Sequence, residues 1–519
     1  MSEINKKRTS KPAGKLLKKA AEKQTSKPAG SQTSKPAAKS PASRSRCPVS
    51  GKCGGCTMID VPYEEQLQKK QQLVEDLIGS FGRVDPIIRM KNPDHYRNKV
   101  TSVFAPDKKG RPVCGIYKAG THEVVPVKSC MLEDLQADRI VQTIFALMES
   151  FKIRVYDEDR QTGLFRYVQI RTARSTKQVM VTIVTGQSVF PSAKNFVNAL
   201  LKRHPEITTV VQNINDKQTT MVLGDREKVL FGPGFIEDVL CKKRFRISSR
   251  SFYQVNSLQT EKLYNIALDY AGFSGKERIL DAYCGIGTIG IIAADRCREV
   301  LSVELNPEAV KDAKENAKLN DAKNVEVFRN DAGRFMRDMA AKKEKLDVLF
   351  MDPPRSGASE EFLMSALELR PARIVYVSCE PTTLARDLAV LTEGGYEMKK
   401  AVPVDMFPYT EGVETCVLLV KESISDDDMV SIKVDLEGIS LDQGKYDPPE
   451  KPTYGNIRKW VKEKYGFSVS TLYIAQVKGK AGIKERQNYN IGTGKGKELS
   501  CPPEKEAAIM EAFRHFRLI

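Results

Sequence analysis

The stretch IVYVSCEPTTLARDL, residues 374–388, ends a run of apolar β-formers in a cysteine, Cys379. A second apolar run, LDVLFMD, ends in Asp352, and a third, ETCVLLVK, begins at Glu414. In open α/β sheets the ligand crevice lies at the carboxyl ends of the strands, so Cys379 and Asp352 are expected to share it. Glu414 reaches the same edge if the last strand runs antiparallel to its neighbour. A thiol beside carboxylates suits nucleophilic addition followed by proton removal.

The thiol of Cys379 needs a nearby cation to react. A free cysteine with a pKa of about 8.5 is only slightly ionised at neutral pH. Arg355 in DPPRSG and Arg386 in LARDL are the candidates, whereas Glu380 adds a carboxylate that would tend to raise the pKa of the thiol. A lone cysteine at a strand end is more often a small core residue. The functional interpretation therefore depends on the DPPRSG run that precedes it.

A glycine loop lies upstream of these residues. The segment ERILDAYCGIG predicts a buried strand that leads into a G-x-G-x-x-G pattern at 285–290, and Glu304 follows about 20 residues later, as in a dinucleotide site. However, Asp281, Asp331 and Asp352 supply hydrogen-bond acceptors for an amine and an adenine edge. These acceptors favour S-adenosylmethionine over a pyrophosphate ligand.

A sulfonium methyl donor beside Cys379 and Glu414 fits methylation at C5 of a pyrimidine. C5 of uracil is too weak a nucleophile to attack a methyl group directly. Addition of a thiolate to C6 generates an enolate whose C5 can attack, and a base must then remove the C5 proton so that the thiolate can leave. We assign Cys379 as the nucleophile and Glu414 as the base.

The surrounding pattern predicts two folded domains. Strands and helices alternate from residue 251 to 421, which indicates an α/β fold with a doubly wound, mostly parallel sheet. Residues 57–245 are typical of an α+β domain rich in antiparallel strands, with one helical stretch at 63–81.

Three cysteines cluster ahead of these domains, in CPVSGKCGGC: Cys47, Cys53 and Cys56. Clustered thiols of this kind indicate a metal site more often than a disulfide. Cys130 is the nearest candidate for a fourth ligand other than Cys114. Zinc and iron–sulfur clusters both accept four thiolates, so the spacing alone leaves the two open.

The net charge of +17 is concentrated at the N-terminus. Residues 1–46 hold 13 Lys and Arg against two Glu, and the repeats TSKPAG, TSKPAG and TSKPAA predict a disordered tail that could tether RNA phosphates. Residues 430–519 are expected to form a small α+β appendage, with helices near 453–465 and 503–516 and a strand at 471–477.

No apolar run approaches the roughly 18 residues of a membrane span, and the N-terminus shows no apolar block of a signal peptide. A soluble cytoplasmic protein without membrane contact is expected. The predicted parts are a basic tail, a central metal-binding and RNA-binding domain, a methyltransferase domain and an accessory domain, at residues 1–46, 47–245, 246–422 and 430–519.

Six segments together resemble the RNA uracil-5-methyltransferase family: SFYQVN, LDAYCGIGT, VELNPEAV, MDPPRSG, VSCEPTTLARDL and DMFPYTEGVE. The CPVSGKCGGC run is similar to the RumA type of that family, which methylates uridine in 23S ribosomal RNA. The resemblance covers about residues 47–421 and implies a class I Rossmann-like methyltransferase domain. The family's nucleophile and base agree with the roles assigned above to Cys379 and Glu414.

The resemblance further implies two ligand sites and a partner. The residues implied for S-adenosylmethionine are Gln254, Tyr283, Thr288, Glu304, Asp331 and Asp352. The residues implied for a [4Fe–4S] cluster are Cys47, Cys53, Cys56 and Cys130. The implied partner is ribosomal RNA, from which a monomeric enzyme would flip the target uracil out of the stack.

The sequence departs from the family pattern at three places, one of which is Glu380, where Asn is common. Gly412 stands where the family often has His two residues before the catalytic Glu, and the basic tail occupies the place of a small oligonucleotide-binding-like (TRAM) domain. Three alternatives therefore stay open: the same chemistry on transfer RNA, a cytosine C5-methyltransferase, and an RNA-binding protein with an impaired active site.

Overall fold

The computed structural model describes residues 45–422, 454–465, 467, 469, 471–480 and 502–516. The chain divides into two compact units, Met1–Ser423 and Ile424–Ile519. Of the tail predicted at 1–46, only the last two residues lie within the described part. Among the described helices, none has the length and apolarity that a membrane crossing requires.

The first part of the larger unit contains one seven-stranded sheet. Its strands are β1 (Lys99–Pro106), β2 (Pro112–Tyr117), β3 (Val124–Pro126), β4 (Phe165–Thr172), β5 (Val179–Thr185), β6 (Ile207–Ile214) and β7 (Arg226–Phe231). The strand order is β3-β2-β1-β4-β5-β6-β7, and only the pair β5–β6 is parallel. The accompanying elements are α1 (Tyr63–Ile78), α2 (Leu135–Ser150), α3 (Ala193–Arg203) and the hairpin of β8 (Phe235–Leu240) and β9 (Lys243–Ser248). The predicted α+β arrangement is therefore present.

A second seven-stranded sheet follows. Its strands are β10 (Arg278–Ala282), β11 (Glu299–Glu304), β12 (Val325–Arg329), β13 (Val348–Met351), β14 (Arg373–Ser378), β15 (Tyr396–Val404) and β16 (Glu414–Lys421). The order is β12-β11-β10-β13-β14-β16-β15, in which only β16 runs antiparallel to its neighbours. The helices are α4 (Ser257–Ala271), α5 (Thr288–Ala293), α6 (Pro307–Leu319), α7 (Ala332–Ala341), α8 (Glu360–Leu369) and α9 (Pro381–Glu393), with a 3₁₀ turn at Ala294–Arg296.

This sheet is covered on both faces, which explains why its central strands are continuous apolar runs. Leu280 and Leu349 pack into a core with residues of α7, α8 and α9, whereas Ile279 and Phe350 pack into a second core with residues of α4 and α5. Burial of each such side chain contributes about 1.5–3 kcal/mol. The doubly wound α/β fold predicted from the sequence is confirmed.

The loop between β10 and α5 is shaped by residues with positive φ. Tyr283, Gly285 and Gly287 have φ of 65°, 56° and 83°. One turn later, a Cβ at Gly290 would lie 2.7 Å from Ser302 Oγ and 3.0 Å from Asp281 Oδ2. Glycine at position 290 therefore allows the Asp281 carboxylate to approach the start of α5.

In the described part of the smaller unit, the elements are three helices: α10 (Tyr454–Tyr465), α11 (Thr471–Lys480) and α12 (Pro503–His515). The two helices predicted near 453–465 and 503–516 are confirmed, but the strand predicted at 471–477 is wrong. Ile474 and Val477 are β-branched residues that suggested a strand, yet their spacing of three places both on one helix face, where both are buried.

Candidate active site

The carboxyl edge of the second sheet brings Cys379 and Glu414 together. Strand β14 ends at Ser378, which pairs with Thr415 in the antiparallel strand β16. The next step in this register sets Cys379 opposite Glu414. Asp352 follows β13, the other neighbour of β14. The antiparallel last strand that the sequence analysis required is therefore present, and the three side chains share one edge.

Burial and like charges keep protons on these groups. Glu414 is 3% exposed, and its Oε2 has no hydrogen-bond partner within the described residues. Burial, and then the charge of Asp352, raises the pKa of Glu414 to about 8, while burial raises the pKa of Asp352 to about 7. Burial, and then the negative charges of Glu414 and Asp352, raise the pKa of Cys379 to about 11. The thiol is thus neutral at pH 7 before any ligand arrives.

The structure separates the two candidate cations. Arg355 is the arginine whose charge lowers the pKa of both Cys379 and Glu414, in opposition to burial. Arg386 instead donates from Nε and Nη2 to Asp387, at 2.8 and 2.6 Å. Arg355 is therefore the arginine whose charge opposes the effect of burial on the thiol.

The Glu380 carboxylate is held by the helix that follows it. Its side chain caps α9, where Oε1 accepts a hydrogen bond from the Thr382 hydroxyl at 2.8 Å. The carboxylates that raise the pKa of Cys379 are those of Glu414 and Asp352.

A cavity lies beside this edge, between the glycine loop and the segment before α4. Four of the six residues predicted for S-adenosylmethionine line it: Gln254, Tyr283, Thr288 and Asp352. Glu304 and Asp331 are not among its lining residues. Glu304 ends β11 and accepts hydrogen bonds from the backbone N–H groups of Gly285, at 3.1 Å, and Asn306, at 2.7 Å.

Asp331 is the N-cap residue of α7 and lies at the same sheet edge. Burial raises the pKa of Tyr283, and the charge of Asp331 raises it further. Both acids outside the cavity therefore act on residues of the loop between β10 and α5, Glu304 on Gly285 and Asp331 on Tyr283.

Other lining residues are absent from the six that the resemblance implies, among them Asp281, Tyr264, Phe252 and Tyr253. Asp281 accepts a hydrogen bond from the Gly290 N–H at 2.8 Å, and burial raises its pKa to about 7. The position of Asp281 just before the glycine loop indicates in the sequence that it is a hydrogen-bond acceptor at this site. Tyr264 lies on α4, outside the quoted motifs, and no sequence pattern indicated it.

The four cysteines predicted as ligands line one further cavity: Cys47, Cys53, Cys56 and Cys130. Cys114 is not among the lining residues, which favours Cys130 as the fourth member. Backbone N–H groups point at two of the sulfurs, from Gly55 to Cys53 Sγ at 3.3 Å and from Leu132 to Cys130 Sγ at 3.4 Å.

Within the described residues, no group of three or more Cys, His, Asp or Glu side chains is close enough to hold a metal ion. Tetrahedral thiolates around one zinc ion would lie roughly 3.8 Å apart, given Zn–S bonds of about 2.3 Å. Ligands of a four-iron cluster bind different iron atoms and are spaced more widely.

The known proteins to which this chain is similar point to one family. A family model for tRNA (uracil-5-)-methyltransferases matches residues 62–422, most of the larger unit. The chain belongs to this family. It is accordingly an S-adenosylmethionine-dependent RNA methyltransferase.

Relatives of this uracil-5-methyltransferase family member are bacterial and archaeal. An uncharacterized RNA methyltransferase of Halalkalibacterium halodurans is 40% identical over 378 residues, or 72% of this chain and 82% of that protein. One from Listeria monocytogenes is 39% identical over 72% of this chain and 83% of that protein. Among solved structures, the Pyrococcus abyssi tRNA (uracil-54, C5)-methyltransferase in complex with S-adenosyl-L-homocysteine matches with a TM-score of 0.59 and 26% identity, over 71% of this chain and 86% of that one.

Proposed function

We propose that this methyltransferase transfers a methyl group to C5 of a uridine in 23S ribosomal RNA through a covalent adduct with Cys379. The observation that carries the proposal is the register of β14 and β16, which sets Cys379 opposite Glu414 beside a cavity that Asp352 helps to line. A thiol, a buried carboxylate and a cavity for the methyl donor are the parts that C5 methylation requires.

In the proposed reaction, the Cys379 thiolate forms a bond to C6, and the electrons of the C5–C6 bond move toward O4 as an enolate. C5 then attacks the methyl group of S-adenosylmethionine, which departs as S-adenosylhomocysteine. Glu414 removes the proton from C5, and elimination breaks the bond between sulfur and C6 to restore the uracil ring. Glu414 suits this step because one of its oxygens has no partner in the described structure.

The protonated states of Cys379 and Glu414 before ligand binding have a role in this proposal. The pKa values of Cys379 and Glu414, about 11 and 8, are raised by burial and by the charge of neighbouring acids. A positively charged sulfonium in the adjacent cavity would favour their ionised forms. Binding of the methyl donor would then activate the thiol, together with Arg355.

For the methyl donor, we propose the six residues of the predicted set: Gln254, Tyr283, Thr288, Glu304, Asp331 and Asp352. The carboxylate of Glu304 lies at the end of the second strand of the doubly wound sheet, the usual position of the ribose-binding acid. Asp281 is better explained as a structural group, because it holds the start of α5 through Gly290.

For the cysteine cavity, we propose a [4Fe–4S] cluster held by Cys47, Cys53, Cys56 and Cys130. The fit rests on the four thiols around one cavity and on the backbone N–H groups directed at two sulfurs, a contact that tunes such clusters. The cluster would supply a covalent link between the loop of residues 47–56 and the segment after β3.

Ribosomal RNA is proposed as the substrate because the CPVSGKCGGC run is similar to the RumA type of this family. Transfer RNA is the alternative, favoured by the activity named for the Pyrococcus abyssi protein. We further propose that the enzyme acts as a monomer in the cytoplasm.

The test is incubation of the protein with methyl-labelled S-adenosylmethionine and unmodified transcripts of 23S ribosomal RNA or transfer RNA, followed by nucleoside analysis. Label in 5-methyluridine from the ribosomal transcript is expected. Label from transfer RNA alone would overturn the target, and label in 5-methylcytidine would overturn the base. No label from either RNA would favour an RNA-binding protein with an impaired site.

The covalent step has its own test. Glu414→Gln should accumulate an RNA–protein adduct that survives a denaturing gel, because the C5 proton cannot leave. Cys379→Ser should form none, and Glu411→Gln, an exposed neighbour in the same loop, should behave as the unaltered enzyme. Turnover by Cys379→Ser at the unaltered rate would exclude the proposed nucleophile.

A further inference from the structure

Two cations face each other across neighbouring strands of the first sheet. Lys99 on β1 and Arg171 on β4 are direct partners in the antiparallel register, so their side chains project from the same face. Arg171 is 4% exposed, and Lys99 is half-buried. Like charges in such a position are destabilising unless an anion lies between them.

The protein provides little to neutralise this pair. The Lys99 ammonium has no hydrogen-bond or ion-pair partner within the described residues. Arg171 donates to the Ser251 carbonyl, and its Nε has no partner in the same part of the chain. Burial and the charge of Arg171 lower the pKa of Lys99 to about 8, which reflects the same shortage of negative charge.

The carboxylate whose charge acts on Arg171 is engaged elsewhere. Asp312 is the acid whose charge acts on Arg171, but it accepts hydrogen bonds from the hydroxyls of Ser248 and Ser251. Arg246 lies 3.7 Å from the same carboxylate. The cation pair therefore retains capacity for an external anion.

The cation pair adjoins the catalytic region through two short links. Asn98, the residue before Lys99, donates its side-chain N–H to the Gln254 carbonyl at 3.0 Å. On the other strand, Arg171 is bonded to Ser251, which precedes Phe252, a residue that lines the donor cavity and is 62% exposed. An anion at the pair would therefore lie close to the segment 251–254, part of which lines the donor cavity.

We propose that Lys99 and Arg171 form a binding site for a phosphodiester group of the RNA substrate, next to the nucleotide that enters the active site. Phosphate is the anion that an RNA chain presents in every nucleotide, and such contacts set the position of the chain. The carboxylate of the methyl donor is the other available anion, but neither Lys99 nor Arg171 lines the donor cavity. The inference rests on the RNA methyltransferase activity and deepens the proposed function.

The test compares Lys99→Met, which removes the charge and keeps the apolar stem, with Lys99→Arg, which keeps the charge. Binding of a fluorescein-labelled 20-nucleotide oligouridine is measured over a series of salt concentrations. Lys99→Met should weaken binding about tenfold at low salt and reduce the slope of log K against log salt by about 0.7, the value for one contact to a single strand. Lys99→Arg should retain the slope.

The matched control is Lys108→Met, because Lys108 lies just after β1, is 85% exposed and pairs with Glu123 at 3.6 Å. It should leave affinity and slope unchanged. An unchanged slope in Lys99→Met would overturn the proposal, as would an increase in the KM for S-adenosylmethionine with RNA binding intact. A thermal midpoint lowered in Lys99→Met and restored by Lys99→Arg, with the slope unchanged, would assign the pair a structural role and also overturn it. Oligouridine binding needs no methyl transfer, so failure of the proposed reaction is distinguishable.

Discussion

The side chain of Arg46 donates a hydrogen bond to the Tyr409 hydroxyl at 2.9 Å, although the two residues are 363 positions apart in the chain. Arg46 immediately precedes Cys47, and Tyr409 lies in the loop that leads to Glu414. Asp94 also accepts from the Tyr409 hydroxyl. The loop of the cysteine cavity is thus bonded directly to the loop of the proposed base.

From this relationship we expect Tyr409→Phe to affect turnover more than binding. The ring remains packed, but the hydroxyl bonds that fix the loop before Glu414 are lost, at about 1 kcal/mol, which corresponds to about fivefold in rate. Steady-state assays should show a lower kcat with the KM for RNA unchanged. The control is Tyr117→Phe, whose hydroxyl contacts Tyr167 at 3.4 Å in the first sheet. Equal effects of the two variants would contradict a positioning role for Tyr409.

A buried ion pair anchors the start of the same loop. Lys70 Nζ lies 2.6 Å from Asp405 Oδ1, and both side chains are at most 1% exposed, while the Tyr63 hydroxyl donates to the other oxygen of Asp405. Lys70→Met would leave a buried, uncompensated carboxylate, so the free energy of unfolding should fall by about 3–5 kcal/mol. Denaturant titration measures it. Lys69→Met removes an exposed pair with Glu65 and should change stability by less than about 1 kcal/mol.

The sequence predicted the catalytic edge because strand ends can be read from apolar runs, and the carboxyl ends of parallel strands meet at one edge. That rule alone predicts that Cys379 and Asp352 lie at the edge. Placing Glu414 there also requires that the last strand runs antiparallel. By contrast, Lys70 and Asp405 are 335 residues apart and belong to no local pattern. Contacts of that kind depend on how elements pack, which periodicity does not encode.

The same limit explains two other outcomes. The sequence could not choose between Arg355 and Arg386, since each follows the end of a strand, and the hydrogen bond from Arg386 to Asp387 in the structure separates them. The strand predicted at 471–477 is a helix because β-branched residues suit either element, and burial of one face by α10 and α12 decides between them.

The reactivity of Cys379 toward iodoacetamide should follow the charges around it. With a pKa of about 11, the thiolate fraction rises tenfold per pH unit up to that value. At pH 9, Arg355→Gln removes a positive charge that lowers the pKa of Cys379, so alkylation should slow. Glu414→Gln removes a negative charge that raises this pKa, so alkylation should become faster. Mass spectrometry of the Cys379 peptide reports the rate. Arg337→Gln, which removes an exposed pair with Glu361, is the control and should leave it unchanged.

Removal of a single cysteine should distinguish the ligand set of the proposed cluster. Cys130 lines the cavity with Cys47, Cys53 and Cys56, while Cys114 is equally free but buried on β2 and absent from the lining. Protein purified without oxygen should contain about four iron atoms per chain, as the [4Fe–4S] formula requires. Cys130→Ser should lose most of the iron and the visible absorption, and Cys114→Ser should keep both.

The outcomes of that pair of variants separate the metals that the cysteine spacing left open. If Cys130→Ser keeps its iron and Cys114→Ser loses it, the fourth ligand is Cys114 and not Cys130. One zinc ion per chain in the unaltered protein, and no iron, would contradict the cluster itself. Cys130→Ser should also lower turnover, because a displaced Cys47 would move its neighbour Arg46, which is hydrogen-bonded to Tyr409 in the loop before Glu414. A variant that loses the iron yet keeps full kcat would show that the two loops are bonded but not functionally coupled.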